Sequence, residues 1–237
     1  MLCPYRYKAE NQVISKLLSG AIKLYLRSQV DRIEELQVKI VGKSKQILQG
    51  YIPEVFLSCD RAVYQGLHLS QIKLKGADIA VNLPEVIKKQ PLKLVEPLFV
   101  KLQLKLNAAD LQASLDSDLL QSGLLDFWQI ILAAQDTKEL TDLEVEWESV
   151  AIANETLNLL GIYRDALGQK NHLALTTGIS LANPHTLYLS PLKINSNLSQ
   201  ENISDRLEID LGKDVYVEQL AIESQQIICS GKIKVNN

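Results

Sequence analysis

The chain has 237 residues, with 25 Lys and Arg against 28 Asp and Glu, a formal charge of −3 and a pI near 5.7. That balance argues against a general nucleic-acid binder, which carries a strong basic excess. Hydrophobic residues make up 46% but aromatics only 5%, so the apolar surface is mainly leucine, isoleucine, valine and alanine, which suits flexible alkyl chains as well as each other.

The start, "MLCPYRYKAENQ", holds no apolar signal core, and no uninterrupted apolar run reaches the ~18 residues needed to span a bilayer. The expected location is therefore cytoplasmic, or peripheral on the inner or thylakoid membrane. No Pro/Gly/Ser-rich linker divides the chain, so a single domain over 1–237 is expected. Cys3, Cys59 and Cys229 are odd in number and show no metal-ligand spacing, which fits a reducing compartment better than a disulfide scaffold.

The first element is an amphipathic helix, Ala9 to Val30, with Ile14, Leu17, Leu18, Ala21, Ile22 and Tyr25 at three-and-four spacing. Lys16, Lys23 and Arg27 gather on its other side. They can be the solvated side of a packed helix, or cations that meet phosphate headgroups at a membrane surface.

The period then changes to two. Leu36, Val38 and Ile40 alternate with Gln37 and Lys39, Ile72 and Leu74 flank Lys73, and "LFVKLQLKLN" carries Leu102, Leu104 and Leu106. These read as antiparallel strands with one apolar and one wet face. A helical insert follows at about 107–135: "NAADLQASL" capped by Asn107, then "SDLLQSGLLDFWQIILAAQD" capped by Ser117. In the second helix Asp118, Ser122, Asp126 and Gln129 form a narrow polar stripe. Leu124, Phe127, Trp128 and Ile131 belong to the wide apolar remainder, which is either core or the wall of an apolar cavity. From Leu143 to Val235 strands return.

Glycines interrupt several strand-like runs, at Gly50, Gly66, Gly161, Gly178 and Gly231. Such positions weaken a strand and are where a sheet can bend. "LQVKIVGKSKQILQGYI" and "LAIESQQIICSGKI" resemble one another as strand, polar turn and glycine-interrupted strand.

Signals for chemistry are weak. "VGKSK", Val41 to Lys45, ends like a phosphate-binding loop, but the first glycine of that motif is replaced by Gln37, so a polar turn is expected. His68, His172 and His185 show no zinc spacing, and Glu144, Glu146 and Glu148 read as a solvated strand face. No serine-hydrolase elbow or dinucleotide fingerprint is present. The expectation is a non-enzymatic protein with no cofactor, no metal and no catalytic residue.

The helix "SKLLSGAIKLYLRSQV", the segment "LQVKIVGKSKQILQGYIPEVFLSCDRAVYQGLHLSQIKLKGADIAVNL", "LNAADLQASL" and the closing "VEQLAIESQQIICSGKIKV" together resemble the LmeA-like phospholipid-binding family, in its cyanobacterial form. The resemblance covers nearly the whole chain and implies an α+β fold similar to the tubular lipid-binding proteins. That fold is a strongly curved, elongated antiparallel β-sheet wrapped around the N-terminal helix and a second, central helix. It also implies phospholipid as partner and a role in membrane or cell-envelope maintenance, by binding or transfer. Combined with the residue pattern, it gives an expected apolar groove lined by Leu17, Leu18, Ile22, Tyr25, Leu124, Phe127, Trp128 and Ile131, with Lys16, Lys23 and Arg27 at the headgroup. Nucleic acid is not expected as a partner, and a homodimer is compatible. The alternative is a protein-interaction or scaffold module in which these apolar faces are only core or interface.

Overall fold

The structure is a computed structural model that describes residues 4–133, 145–153, 155–164, 168–196, 200–203 and 206–236. Cys3 and Glu144 lie outside these residues, as do the side chains before Lys16, Ile14 among them. The fold is α+β, built on two antiparallel sheets that do not close into a barrel.

Helix α1 (Pro4–Gln29) leads into β1 (Arg32–Val41), a short helix α2 (Ser44–Leu48), β2 (Tyr51–Tyr64), β3 (Leu67–Ala80), α3 (Leu83–Ile87) and β4 (Leu98–Asn107). Two helices follow, α4 (Ala108–Ala113) and α5 (Asp118–Ala133), then β5 (Val145–Ala153), β6 (Thr156–Arg164), β7 (Lys170–Asn183), β8 (Thr186–Ser196), β9 (Gln200–Ile203) and β10 (Leu207–Asp210). The chain closes with the hairpin β11 (Val215–Glu223) and β12 (Gln226–Val235).

The first sheet has the order β1-β2-β3-β4-β12-β11, so the C-terminal hairpin completes a sheet begun at the N-terminus. The second runs β10-β8-β7-β6-β5, with β9 also on β8. Their junction is hydrogen-bonded: Val217 N–H donates to Pro184 O at 2.7 Å, and the His185 ring meets Val215 O at 2.6 Å.

Helices α4 and α5 are anchored by local chemistry that the sequence carries. Ser117 Oγ accepts the Leu120 N–H at 3.2 Å and starts α5, while Asp110 reaches back to the Asn107 N–H at 3.3 Å and fixes the start of α4. Gln112 of α4 accepts the Val150 N–H at 2.9 Å, tying that helix to edge strand β5. The polar stripe of α5, Asp118, Ser122, Asp126 and Gln129, faces solvent.

Two expectations need correction. Val41 to Lys45 does not form a polar hairpin turn: Ser44 begins α2, whose Ile47 is buried against the first sheet. An apolar residue three positions into the segment outweighs its turn-like composition, and the likeness to the β11–β12 hairpin ends there. Nor do all five glycines interrupt strands. Gly50 (φ +82°) and Gly66 (φ +76°) occupy turns, in a backbone region that suits glycine. Gly161, Gly178 and Gly231 do lie within strands, each beside a register shift. At Gly231 a Cβ would come within 2.1 Å of Tyr216 O, where β11 bulges between Val217 and Gln219, so glycine lets the bulged neighbour approach.

Candidate functional site

Register places apolar side chains in rows across one face of the first sheet. One row runs Leu57, Leu74, Leu102, Gly231, Val217; the next runs Cys59, Ile72, Leu104, Cys229, Leu220. Strand alternation alone produces this face. Its two ends are covered. At one, Leu18 and Ile22 of α1 join Ile47, Ile52, Val55, Ile79, Val81, Leu83 and Val86 in a buried cluster. At the other, Leu106, Ile222 and Ile227 pack against a second cluster made by α4, α5 and the second sheet. Between them Ile72, Leu74, Leu102, Leu104 and Cys229 stay only half-buried, an apolar floor without a full cover of protein.

A cavity of about 140 Å³ opens over this floor, beneath α1. Ile22, Tyr25 and Leu26 form its roof, Leu57, Leu74 and Val100 line its base, and Leu94 and Val235 stand at one end. Nothing in that lining offers a buried charge, so the space favours apolar matter over water.

The eight residues expected in one groove fall into two separate places. Leu18, Ile22 and Tyr25 sit with α1 over the first sheet, the last two on the cavity. Leu17 is 48% exposed, as is Leu24 at 72%. One residue step turns a helix by roughly 100°, which carries Leu17 off the stripe made by Leu18, Ile22 and Tyr25. Leu124, Trp128 and Ile131 are buried in the other cluster, and Phe127 packs against it. There Trp128 meets Trp147 edge to face at 6.2 Å, over a sheet face of Leu159, Leu173 and Leu175. Helix α5 thus fills the second sheet's core and contributes no residue to the cavity under α1. Lys16 and Arg27 are exposed and Lys23 is half-buried, along the side of α1 next to Leu26.

Sequence reasoning gives the apolar face of these strands but puts none of their residues in the expected groove. "LFVKLQLKLN" carries the strand alternation, and that pattern alone does not say that its leucines lack a full cover of protein.

Polar chemistry near the floor is sparse. Burial pushes the Cys59 and Cys229 thiols up, which keeps both protonated and poorly nucleophilic at neutral pH. The His185 ring hydrogen-bonds a backbone carbonyl and stands edge-on to Tyr216, while His172 is exposed. Among the described residues no group of three or more His, Cys, Asp or Glu is placed to hold a metal ion, and no helix is long and apolar enough to cross a membrane.

The opposite face of the same sheet is basic. In register across all six strands run Lys39, Phe56, Lys75, Lys101, Lys232 and Tyr216. Glu54 pairs with Lys75 at 2.7 Å and Glu218 with Lys232 at 3.1 Å. Lys101 stands between those two lysines, on the wall of an open groove of about 490 Å³.

No curated protein and no solved structure gives a significant match to the chain. A family model described as LmeA-like phospholipid-binding matches residues 9–232, a span that begins within α1, takes in the second sheet and ends within β12. The chain therefore belongs to the LmeA-like phospholipid-binding family.

Proposed function

We propose that this protein binds phospholipid without chemical conversion, holding an acyl chain in the cavity between α1 and the first sheet. The observation that carries this reading is the apolar cavity, continuous with a half-exposed floor of Leu74, Leu102, Leu104 and Ile72. An apolar cavity of roughly 150 Å³ stays dry and takes a benzene-sized molecule, so the space under α1 holds about six carbons. The rest of the chain runs along the floor, and each methylene buried there contributes about 0.8 kcal/mol. Lys23 and Arg27, with Lys16, flank the roof of the cavity on the side of Leu26 and meet the phosphate.

On this reading the molecule is one domain, and the bulges beside Gly231 and Gly161 curl the sheets around their helices. Phospholipid held this way is ready for transfer between membranes, in support of membrane or envelope maintenance, with the protein at a membrane surface. Protein purified without detergent and sprayed under native conditions carries phospholipid masses. Protein that is free of lipid, and that takes up none from vesicles, contradicts the reading and favours the interaction module.

A further inference from the structure

The end of the first sheet where β1 and β3 finish and β2 and β4 begin sets exposed aliphatic side chains among lysines. Helices α2 and α3 cap it, each turning one apolar residue inward and the next outward. Ile47 and Val86 are buried in the core while their neighbours Leu48 and Ile87 are exposed. Val41, Leu48, Ile87 and Val95 are between 40% and 54% exposed. Around them stand five exposed lysines, Lys43, Lys45, Lys88, Lys89 and Lys93, and none forms an ion pair among the described residues. Only two carboxylates, Glu85 and Glu96, lie in the same segments, so this end is net positive in a chain of charge −3.

The segments are held as one surface. Val81 N–H donates to Gly50 O at 2.8 Å, Lys93 N–H to the Asn82 side chain at 2.7 Å, and Asn82 in turn to Pro91 O at 3.0 Å. Leu92 and Leu94, on either side of Lys93, line the cavity under α1, so the cavity reaches this end.

We infer that this end docks on an anionic lipid bilayer. Aliphatic side chains ringed by lysines match the boundary between acyl chains and phosphates: Leu48, Ile87 and Val95 enter the apolar side, and the lysines meet the headgroups. A phospholipid leaving the bilayer at that point lies next to Leu94 and Leu92 and passes into the cavity. The route into the cavity rests on the lipid-binding reading above; the docking itself does not.

The test is flotation of the full chain with vesicles of phosphatidylcholine alone and of phosphatidylcholine mixed with phosphatidylglycerol. The wild type floats with the mixed vesicles, far less with the neutral ones, and is released by salt. Lys88→Glu with Lys89→Glu lowers binding by about fivefold or more for each lysine changed. Leu48→Ser with Ile87→Ser lowers it by about tenfold per side chain, and what remains, held by the lysines, is still released by salt. All four positions are exposed, so circular dichroism and melting temperature stay as in the wild type. Lys170→Glu with Lys193→Glu, two exposed lysines of the second sheet, leaves flotation intact. Wild-type protein that ignores anionic vesicles overturns the inference, and so does undiminished binding by the tip variants or an equal loss of binding in the second-sheet variant. Native mass spectrometry of the same proteins separates the two ideas: lipid-free protein that still floats sinks the cavity reading and leaves the docking end standing.

Discussion

The two sheets use the same leucine-rich composition to opposite ends. The second sheet is filled: Trp128, Tyr163, Leu159, Leu173 and Leu175 are almost fully buried, and α5 supplies the cover. The first sheet is covered at its ends and left half-open between them, with a cavity where α1 crosses it. A protein able to complete one aliphatic core so thoroughly has the means to complete the other. On the proposed function, the space left over the first sheet is where an apolar ligand takes the place of side chains the sequence does not supply.

The largest effect expected from breaking this contrast is in the filled half. Trp128→Ala removes a buried aromatic from a closed core and costs about 3–5 kcal/mol, lowering the melting midpoint by roughly 10 °C, as differential scanning calorimetry would record. Lipid carried by the variant at low temperature is unchanged, because the cavity belongs to the other half.

Gly231→Ala acts on the open half. Its Cβ would stand 2.1 Å from Tyr216 O, and the β11–β12 hairpin must shift to admit it. A loss of about 1–3 kcal/mol in urea unfolding is expected, with faster amide exchange concentrated in β11 and β12.

A matched pair sharpens the comparison. Leu175→Phe forces extra volume into a filled core and costs about 1–3 kcal/mol. Val100→Phe makes a similar enlargement on the cavity lining, where it changes stability by less than about 1 kcal/mol while the amount of copurified lipid falls. Equal destabilisation by the two would mean that the cavity holds no usable space. The smallest effect lies on the other side of the first sheet. Lys101→Glu replaces a like-charge row with opposite charges across β3, β4 and β12, and raises stability by about 0.2–1 kcal/mol, a gain that salt reduces.

Periodicity made most of the elements legible, because a helix stripe such as Leu18, Ile22 and Tyr25 and a strand alternation such as Leu102, Leu104 and Leu106 follow from backbone geometry alone. It did not show which faces meet. The apolar stripes of α1 and α5 look alike in sequence, yet one lies over the first sheet and the other over the second. That choice depends on the C-terminal hairpin returning so that β12 pairs with β4, a contact between residues more than a hundred positions apart. The spacing groups Leu17 with its neighbours because an apolar residue on a helix edge carries no sign of which side it falls. The basic end of the first sheet is written in "VIKKQPLKLV", which sets two exposed lysines directly after Ile87. Its turns break the period on which sequence patterns rely, so periodicity does not reveal it.

On the proposed function an acyl chain occupies the open half and not the filled one. Isotope-filtered NMR of the protein loaded with phospholipid, with its methyl groups labelled, tests this directly. Contacts from acyl methylenes to the methyls of Ile22, Leu74 and Val100 are predicted. Contacts confined to Leu159, Leu173 and Leu175, or none to either sheet, would overturn the proposed function.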